Sequence, residues 1–135
     1  MKPYVSICIP VFKTEELLEE ALQSVLQNDV EHVSKNVEVI IVNDGSTSTN
    51  LQGLSCKQIV KKFKKNTKIK INYIEHSQNM GLVEARRSAL YVAKGEYIFF
   101  FDSDDVLTPN CIKDLMSLAQ KENYDIVKGS FVTFA

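Results

Sequence analysis

The sequence lacks the features that mark secreted and membrane-spanning proteins. It has no run of eighteen apolar residues and no charged-then-apolar leader, so it predicts neither a transmembrane helix nor a signal peptide. Its three cysteines, Cys8, Cys56 and Cys111, are odd in number, widely spaced and without a CxxC pair. This pattern indicates neither a disulfide framework nor a zinc site. We therefore expect a protein of the reducing cytoplasm.

The net charge is close to zero, and the sequence contains few histidines. The formal net charge is −1 over 135 residues, which argues against nucleic acid as the main partner. The two histidines, His32 and His76, are far apart, and we expect them to be surface or loop residues rather than ligands. No glycine-rich turn follows the first predicted strand, which excludes dinucleotide and P-loop sites.

What the sequence does contain is an alternation of strand and helix patterns. Its length and its 44% hydrophobic content suffice for one domain with a core of its own. The alternation predicts an α/β, Rossmann-like fold, with a doubly wound, mostly parallel sheet and flanking helices. Strands are predicted at residues 5–9, 37–42, 69–74, 97–101 and 125–132, and helices after Thr14, at 58–65, at 82–94 and after Pro109.

The first two helices are predicted to carry opposite charges on their polar faces. In the first helix we expect the acidic side chains to face water, with the earliest of them near the positive N-terminus; they are Glu15, Glu16, Glu19 and Glu20. Seven lysines lie between residues 57 and 70, in and after the second helix. Such a run is usually a solvated face, and the alternative is peripheral contact with anionic lipid.

An acidic cluster follows the most apolar strand. Residues 97–101 are predicted to be buried on both faces of the sheet, and Asp102, Asp104 and Asp105 come directly after them. Ligands bind beyond the carboxyl ends of strands in such sheets, and clustered carboxylates resist ionising together unless a cation is present. Hard oxygen ligands in this number predict Mg²⁺ or Mn²⁺. The alternative is that the acids cap the next helix, but residues 108–109 already supply its cap and first-turn proline.

Two more side chains are predicted to matter at this edge. Asp44 follows the second strand, and the Asp-Gly pair that it begins is a common hairpin turn. No alternating strand comes next, so the hairpin interpretation weakens. Arg86 falls on the apolar side of the third helix, where a guanidinium must reach water or meet an anion. It is either the partner of Asp44 or Asp102 in an internal ion pair or a ligand-binding residue.

Four segments, in this order and at these separations, resemble family 2 glycosyltransferases of the GT-A fold. They are residues 5–12 (VSICIPVF), 39–46 (VIIVNDGS), 79–86 (NMGLVEAR) and 95–105 (GEYIFFFDSDD). The resemblance implies that residues 1–135 form a nucleotide-sugar-binding domain that ends before an acceptor-binding part. The implied reaction is attack by an acceptor hydroxyl on the anomeric carbon of a nucleotide-diphosphate sugar, expected to be a UDP-sugar, with inversion. The implied acceptor is a glycan or a lipid-linked molecule.

The resemblance also assigns residues to the nucleotide. Pro10 and Phe12 match the segment that borders the base, with Phe12 at its aromatic position. Asp44 matches the acid that hydrogen-bonds a uracil ring. Arg86 matches the arginine that lies near the base and the diphosphate.

The last implied assignment is a metal motif. Asp102, Ser103 and Asp104 match Asp-x-Asp, in which Asp104 holds Mn²⁺ or Mg²⁺ on the diphosphate and Asp102 approaches the ribose or the same metal. We assign Ser103 to nucleotide binding with them. No residue matches the general base, so this chain alone is expected to bind a donor without transferring its sugar, and Asp105 is the first residue to test. The alternative is a non-catalytic nucleotide-binding or protein-interaction module of the same fold.

Overall fold

The computed structural model describes residues 3–28 and 35–133. Within these ranges one parallel sheet contains β1 (Val5–Val11), β2 (Val37–Asn43), β3 (Lys70–Glu75) and β4 (Tyr97–Phe100). The strand order is β3-β2-β1-β4, so β1 and β2 are each paired on both edges. The predicted α/β fold with a mostly parallel sheet is confirmed.

Helices cover both faces of this sheet. They are α1 (Glu15–Leu26), α2 (Cys56–Lys64), α3 (Leu82–Val92) and α4 (Cys111–Glu122). On one face, Leu18 of α1, Ile59 of α2 and Met116 of α4 join the larger core cluster. On the other face, Ala85 and Ala89 of α3 pack against β1 and β2. None of these helices is long and apolar enough to cross a bilayer.

Burial on both faces explains why β1 and β2 are nearly continuous apolar runs. Ile7, Ile9, Ile40 and Ile41 are all 0% exposed, and full burial of such a side chain contributes about 1.5–3 kcal/mol relative to leaving it in water. Because these strands are buried on both faces, their carboxyl ends have well-defined positions, and so do the first residues of the loops that follow them.

The prediction that residues 97–101 are buried on both faces is wrong. Ile98 and Phe100 are 38% and 44% exposed, whereas Phe101 is 3% exposed. Among the described strands β4 pairs only with β1, and α3 packs over β1 and β2 rather than over β4. Because α3 packs mainly over β1 and β2 and reaches β4 through Arg86, alternate side chains of this edge strand remain partly exposed.

The predicted strand at residues 125–132 is also wrong. This described segment forms no strand, and Ile126, Phe131 and Val132 are between 84% and 86% exposed. A strand is stabilised by ladder hydrogen bonds to a neighbour and by packing of one face. No described strand pairs with the segment, so apolar alternation alone did not produce a strand.

Two helix starts differ from expectation. The N-cap of α4 is Asn110 rather than a residue at 108–109, and the Ile112 amide of its first turn donates to Asn28 Oδ1 at 3.0 Å.

The first turn of α1 differs from expectation in its burial. Glu15, which was expected to face water, is only 1% exposed, and its carboxylate oxygens have no hydrogen-bond partner among the described residues. Helical periodicity alone does not show that Glu15 lies near Cys56, at the start of α2.

The lysine-rich helix α2 presents a solvated face. Lys57, Lys61 and Lys64 are exposed, and Lys62 forms an ion pair with Glu19 of α1 at 3.4 Å. This arrangement agrees with the ordinary interpretation of a lysine run. Contact with anionic lipid stays a prediction.

Candidate functional site

Three loops meet at the carboxyl edge of the sheet. Thr14 Oγ1 and Ser103 Oγ lie 2.6 Å apart, which ties the loop after β1 to the acidic loop after β4. The Lys13 amide donates to Ser46 Oγ at 3.0 Å, which ties the first loop to the one after β2. The buried Ser103 side chain therefore joins two loops. Its assigned part in nucleotide binding stays a prediction.

The acidic loop is a tight turn that clusters three carboxylates. The Asp105 amide donates to the Asp102 carbonyl at 3.1 Å, and one carboxylate oxygen from each of Asp102, Asp104 and Asp105 lies within 4.8 Å of the others. All three side chains are exposed. Three hard oxygen donors with open space beside them fit Mg²⁺ or Mn²⁺, which bind through a few carboxylates and complete their shells with water or phosphate.

Desolvation and mutual repulsion in this cluster predict a pH effect. Partial desolvation, followed by the charges of Asp104 and Asp102, raises the pKa of Asp105. A carboxyl whose pKa is higher in the folded state binds more protons when folded, so the free energy of unfolding falls as pH rises from the ordinary value through the raised one. In metal-free buffer Asp105→Asn should remove this part of the pH dependence. Urea unfolding at a series of pH values above about 4 checks it, and parallel curves for wild type and variant would contradict it.

Arg86 reaches the same turn from α3. Its Nη2 atom lies 3.6 Å from Asp102 Oδ1, and its guanidinium carbon lies 5.0 Å from the centroid of the Phe100 ring. The side chain is 37% exposed, while Nε is buried without a partner among the described residues. Of the two ion pairs considered from the sequence, the one with Asp102 forms. A guanidinium side chain that is more than a third exposed can still bind an anion.

Asp44 lies within the wall of the site rather than on its surface. Its Oδ1 accepts hydrogen bonds from the Met80 amide and His76 Nδ1, both at 2.8 Å, and its Oδ2 accepts from the Gly81 amide at 3.0 Å and Asn79 Nδ2 at 3.1 Å. Burial alone would raise the pKa of Asp44, but the bonds from His76, Met80 and Gly81 outweigh it and hold that pKa below its usual value. A carboxylate has about four acceptor sites, so a uracil ring could bond to Asp44 only by displacing a donor. That assigned role stays a prediction.

His76 corrects the expectation of a surface residue. It does lie in the loop after β3, but its side chain is 9% exposed and is held on both ring nitrogens. Nδ1 contacts Asp44, and Nε2 lies 2.7 Å from Ser88 Oγ on α3. The sequence does contain an indication of this position, because residue 76 directly follows a predicted strand and so lies at the same edge of the sheet as Asp44. The other histidine, His32, lies outside the described residues.

Phe12 and Pro10 lie at the end of β1 as predicted. Phe12 is 40% exposed, and the Lys13 ammonium lies 5.2 Å from its ring centroid. Lys13 has a φ of 57°, a left-handed conformation that non-glycine residues seldom adopt. Pro10 pairs in register with Val42 of β2. An exposed aromatic ring at this edge can stack on a base, which stays a prediction for this chain.

A separate cavity lies away from these residues. It has a volume of about 510 Å³ and opens between β4 and α4, with Tyr4, Glu96, Tyr97, Met116 and Ile126 among its lining residues. None of the side chains predicted to bind nucleotide or metal lines it. The acidic turn, with its clustered ligands and adjacent arginine, is therefore the stronger candidate for a polar ligand.

Comparisons with a family model and with known proteins agree on one protein family. Residues 6–135 match the model for Glycosyl transferase family 2. The glycosyltransferase GlyG of Streptococcus pneumoniae serotype 4 is 28% identical over 99% of this chain, which spans 41% of that protein. The chain thus covers less than half the length of this relative.

Solved structures agree with the sequence match. The crystal structure of S. aureus TarS 1-349 in complex with UDP-GlcNAc superposes with a TM-score of 0.80 and is 27% identical, covering 97% of this chain and 37% of that one. A mannosyltransferase from Pyrobaculum calidifontis, in complex with GDP-Man and Mn²⁺, gives a TM-score of 0.72 at 22% identity, covering 90% of this chain and 32% of that one. The second likeness shows the fold alone.

Proposed function

Since the chain belongs to glycosyl transferase family 2, we propose that it is the nucleotide-sugar-binding part of a metal-dependent, inverting glycosyltransferase with a UDP-sugar donor. The observation that carries the proposal is the acidic turn at the carboxyl edge, where three carboxylates lie within 4.8 Å and Arg86 approaches Asp102. A diphosphate needs positive charge around it, and this turn offers a cation site beside a guanidinium. The UDP-GlcNAc bound to TarS supports a uridine donor.

Within this proposal Asp104 and Asp102 hold Mn²⁺ or Mg²⁺. The cation, when bound, would offset the negative charge that develops on the departing diphosphate. Arg86 adds a positively charged hydrogen-bond donor. Its contact with Phe100 limits the positions that its guanidinium can take, which lowers the entropic cost of holding an anion.

The nucleoside would lie along the other two loops. We propose that Phe12 provides an apolar surface for the base beside Pro10, and that Ser103 and Asp44 shape the site. Asp44 contributes in the first place by fixing the Met80 and Gly81 amides, because all four of its acceptor positions are used. Direct contact between Asp44 and a base requires one donor to move.

Transfer also requires a base that deprotonates the acceptor hydroxyl, which we expect to belong to a glycan or a lipid-linked molecule. We assign no such base, and the first residue to test is Asp105, an exposed carboxylate beside the proposed metal ligands. General-base assistance is typically worth about 10²–10⁴-fold in rate. We therefore propose that residues 1–135 bind the donor and leave turnover near background.

A nucleotide titration tests the proposal directly. Calorimetry of the chain with UDP, GDP and dTDP, each with and without Mn²⁺, should show binding that depends on metal and favours UDP. A folded chain that binds none of the three would overturn the proposal. Metal-dependent binding without sugar transfer by a longer protein that contains this chain would favour the non-catalytic nucleotide-binding module.

Two adjacent arginines provide a matched test of the anion site. We expect Arg86→Ala to weaken UDP binding about tenfold, because a hydrogen bond to a charged group is worth about 1.5–3 kcal/mol. Loss of stability should stay near 1 kcal/mol, since a half-exposed ion pair contributes little. The control, Arg87→Ala, removes an exposed guanidinium that pairs with Glu84 at 3.2 Å on the same helix. Severe unfolding of Arg86→Ala with unchanged UDP affinity per folded molecule would instead make Arg86 a structural residue.

A further inference from the structure

A partly buried hydrogen-bond chain connects the loop after β2 to helix α3. Asp44 Oδ1 lies 2.8 Å from His76 Nδ1, and His76 Nε2 lies 2.7 Å from Ser88 Oγ. Because a carboxylate only accepts hydrogen bonds, Nδ1 carries a proton toward Asp44. In the neutral ring Nε2 is then the acceptor, and the Ser88 hydroxyl donates to it.

The imidazole is also fixed by its own backbone. The His76 amide donates to the Asn43 carbonyl at 2.8 Å, one residue before Asp44. The ring is thus held at the backbone, at Nδ1 and at Nε2, and 9% of the side chain reaches solvent. Because the residue is held at three points, its side chain has little conformational entropy left to lose when a ligand binds nearby.

The order of carboxylate, imidazole and hydroxyl is that of a serine hydrolase triad, but the surroundings are not. Ser88 lies inside α3, where backbone amides are used in helical hydrogen bonds and cannot form an oxyanion hole. The chain of contacts instead ends on α3, the helix that also carries Arg86 on a different face. Asp44 leads there too, since it binds the Met80 and Gly81 amides just before α3 begins.

We propose that His76 is a positioning residue for nucleotide-diphosphate binding. It fixes the Asp44 carboxylate and ties it to α3, so that the loop at residues 79–81 and the helix that carries Arg86 are held in register before the ligand arrives. This rests on the proposed function of the same site. Preorganisation of this kind improves affinity because less freedom is lost on binding.

Two amide replacements separate the two ring contacts. In His76→Asn the side-chain amide occupies about the position of Nδ1 and can still donate to Asp44, whereas in His76→Gln it occupies about the position of Nε2 and reaches Ser88 instead. A purely structural role predicts that UDP affinity is the same in all folded variants. A positioning role predicts that affinity follows the contact with Asp44.

The experiment is a UDP titration with Mn²⁺ on wild type, His76→Asn, His76→Gln, Ser88→Ala and the control Arg87→Ala, each well below its melting temperature. We expect His76→Gln to weaken binding about tenfold, which is one charge-assisted hydrogen bond, and His76→Asn to stay within about threefold of wild type. Ser88→Ala should give a smaller loss of UDP affinity than His76→Gln.

Equal UDP affinities for wild type and both His76 variants would overturn the inference while leaving the proposed function intact. If His76→Gln does not fold, an unchanged affinity in Ser88→Ala together with a tenfold loss in His76→Asn would overturn it. Failure of wild type to bind UDP overturns both.

Discussion

Replacing Asp104 with asparagine should weaken the metal-dependent binding of UDP and leave the fold intact. The substitution keeps the shape of the side chain and removes one of three charges clustered within 4.8 Å. A divalent cation of this class needs hard anionic ligands and usually has only a few from protein, so loss of one charge should lower metal-dependent affinity about 10- to 100-fold. Calorimetry with UDP at a series of Mn²⁺ concentrations measures the effect.

The stability of the same variant supplies an internal check. Asp104 is exposed and helps to raise the pKa of Asp105, so its removal relieves repulsion in the metal-free protein. The melting temperature without metal should therefore stay the same or rise slightly. The control is Asp114→Asn, which removes an exposed charge from the first turn of α4. If Asp104→Asn binds UDP with the Mn²⁺ dependence of wild type, the metal does not bind at Asp104.

The acidic turn was predictable because its position follows from two local patterns. An apolar run ending at Phe101 implies a strand, and the acids that follow it must then lie at the carboxyl edge of a parallel sheet. The same rule located Asp44 after β2. The rule gives the edge of the sheet but not the distances along it, so it could not choose between Asp44 and Asp102 as the partner of Arg86. The three-dimensional contacts decide this, because Asp44 already accepts four hydrogen bonds whereas Asp102 Oδ1 lies 3.6 Å from Arg86 Nη2.

The failures share a physical cause, which is that burial depends on elements distant in sequence. Ile98 and Phe100 have the apolar character of a fully covered strand, but α3 packs mainly over β1 and β2 and leaves both side chains exposed. Glu15 has the sequence position of a solvated first-turn acid, yet it is buried. Residues 125–132 have strand propensity, but no described strand pairs with them. Local periodicity carries no information about such partners.

His76 shows the same limit at the site. An isolated histidine in a sequence is more often a surface or loop residue than a ligand. Its position directly after β3 does not by itself show that it contacts the site. Only the fold reveals that Asp44 and Ser88, which are 44 residues apart by their numbers, lie on opposite sides of one imidazole ring. The residues that bind a ligand can be predicted from motifs, whereas those that hold them in place require the three-dimensional contacts.

Gly45→Ala should be among the most damaging single substitutions in the chain, because it combines backbone strain with a clash. Gly45 has a φ of +72°, and a Cβ atom there would lie 2.3 Å from both the Asn79 amide nitrogen and the Gln78 carbonyl carbon. The left-handed conformation costs an alanine roughly 1–2 kcal/mol, and forced backbone shifts in a packed region cost about 1–3 kcal/mol more. We expect the free energy of unfolding to fall by about 3 kcal/mol. Urea unfolding measures it.

The chain offers a control that has the strain without the clash. Gly53 has a φ of +76°, and a Cβ built on it would meet no atom within 4 Å, so Gly53→Ala should cost only about 1–2 kcal/mol. The difference between the two variants isolates the contact between the loop after β2 and residues 78–79. That contact is what brings the Asp44 carboxylate to the Met80 and Gly81 amides. Folded Gly45→Ala should therefore also lose UDP affinity, whereas Gly53→Ala should retain it. Equal costs in stability and equal affinities would mean that the two loops can separate without harm, and the Asp44 cluster would then have no part in shaping the site.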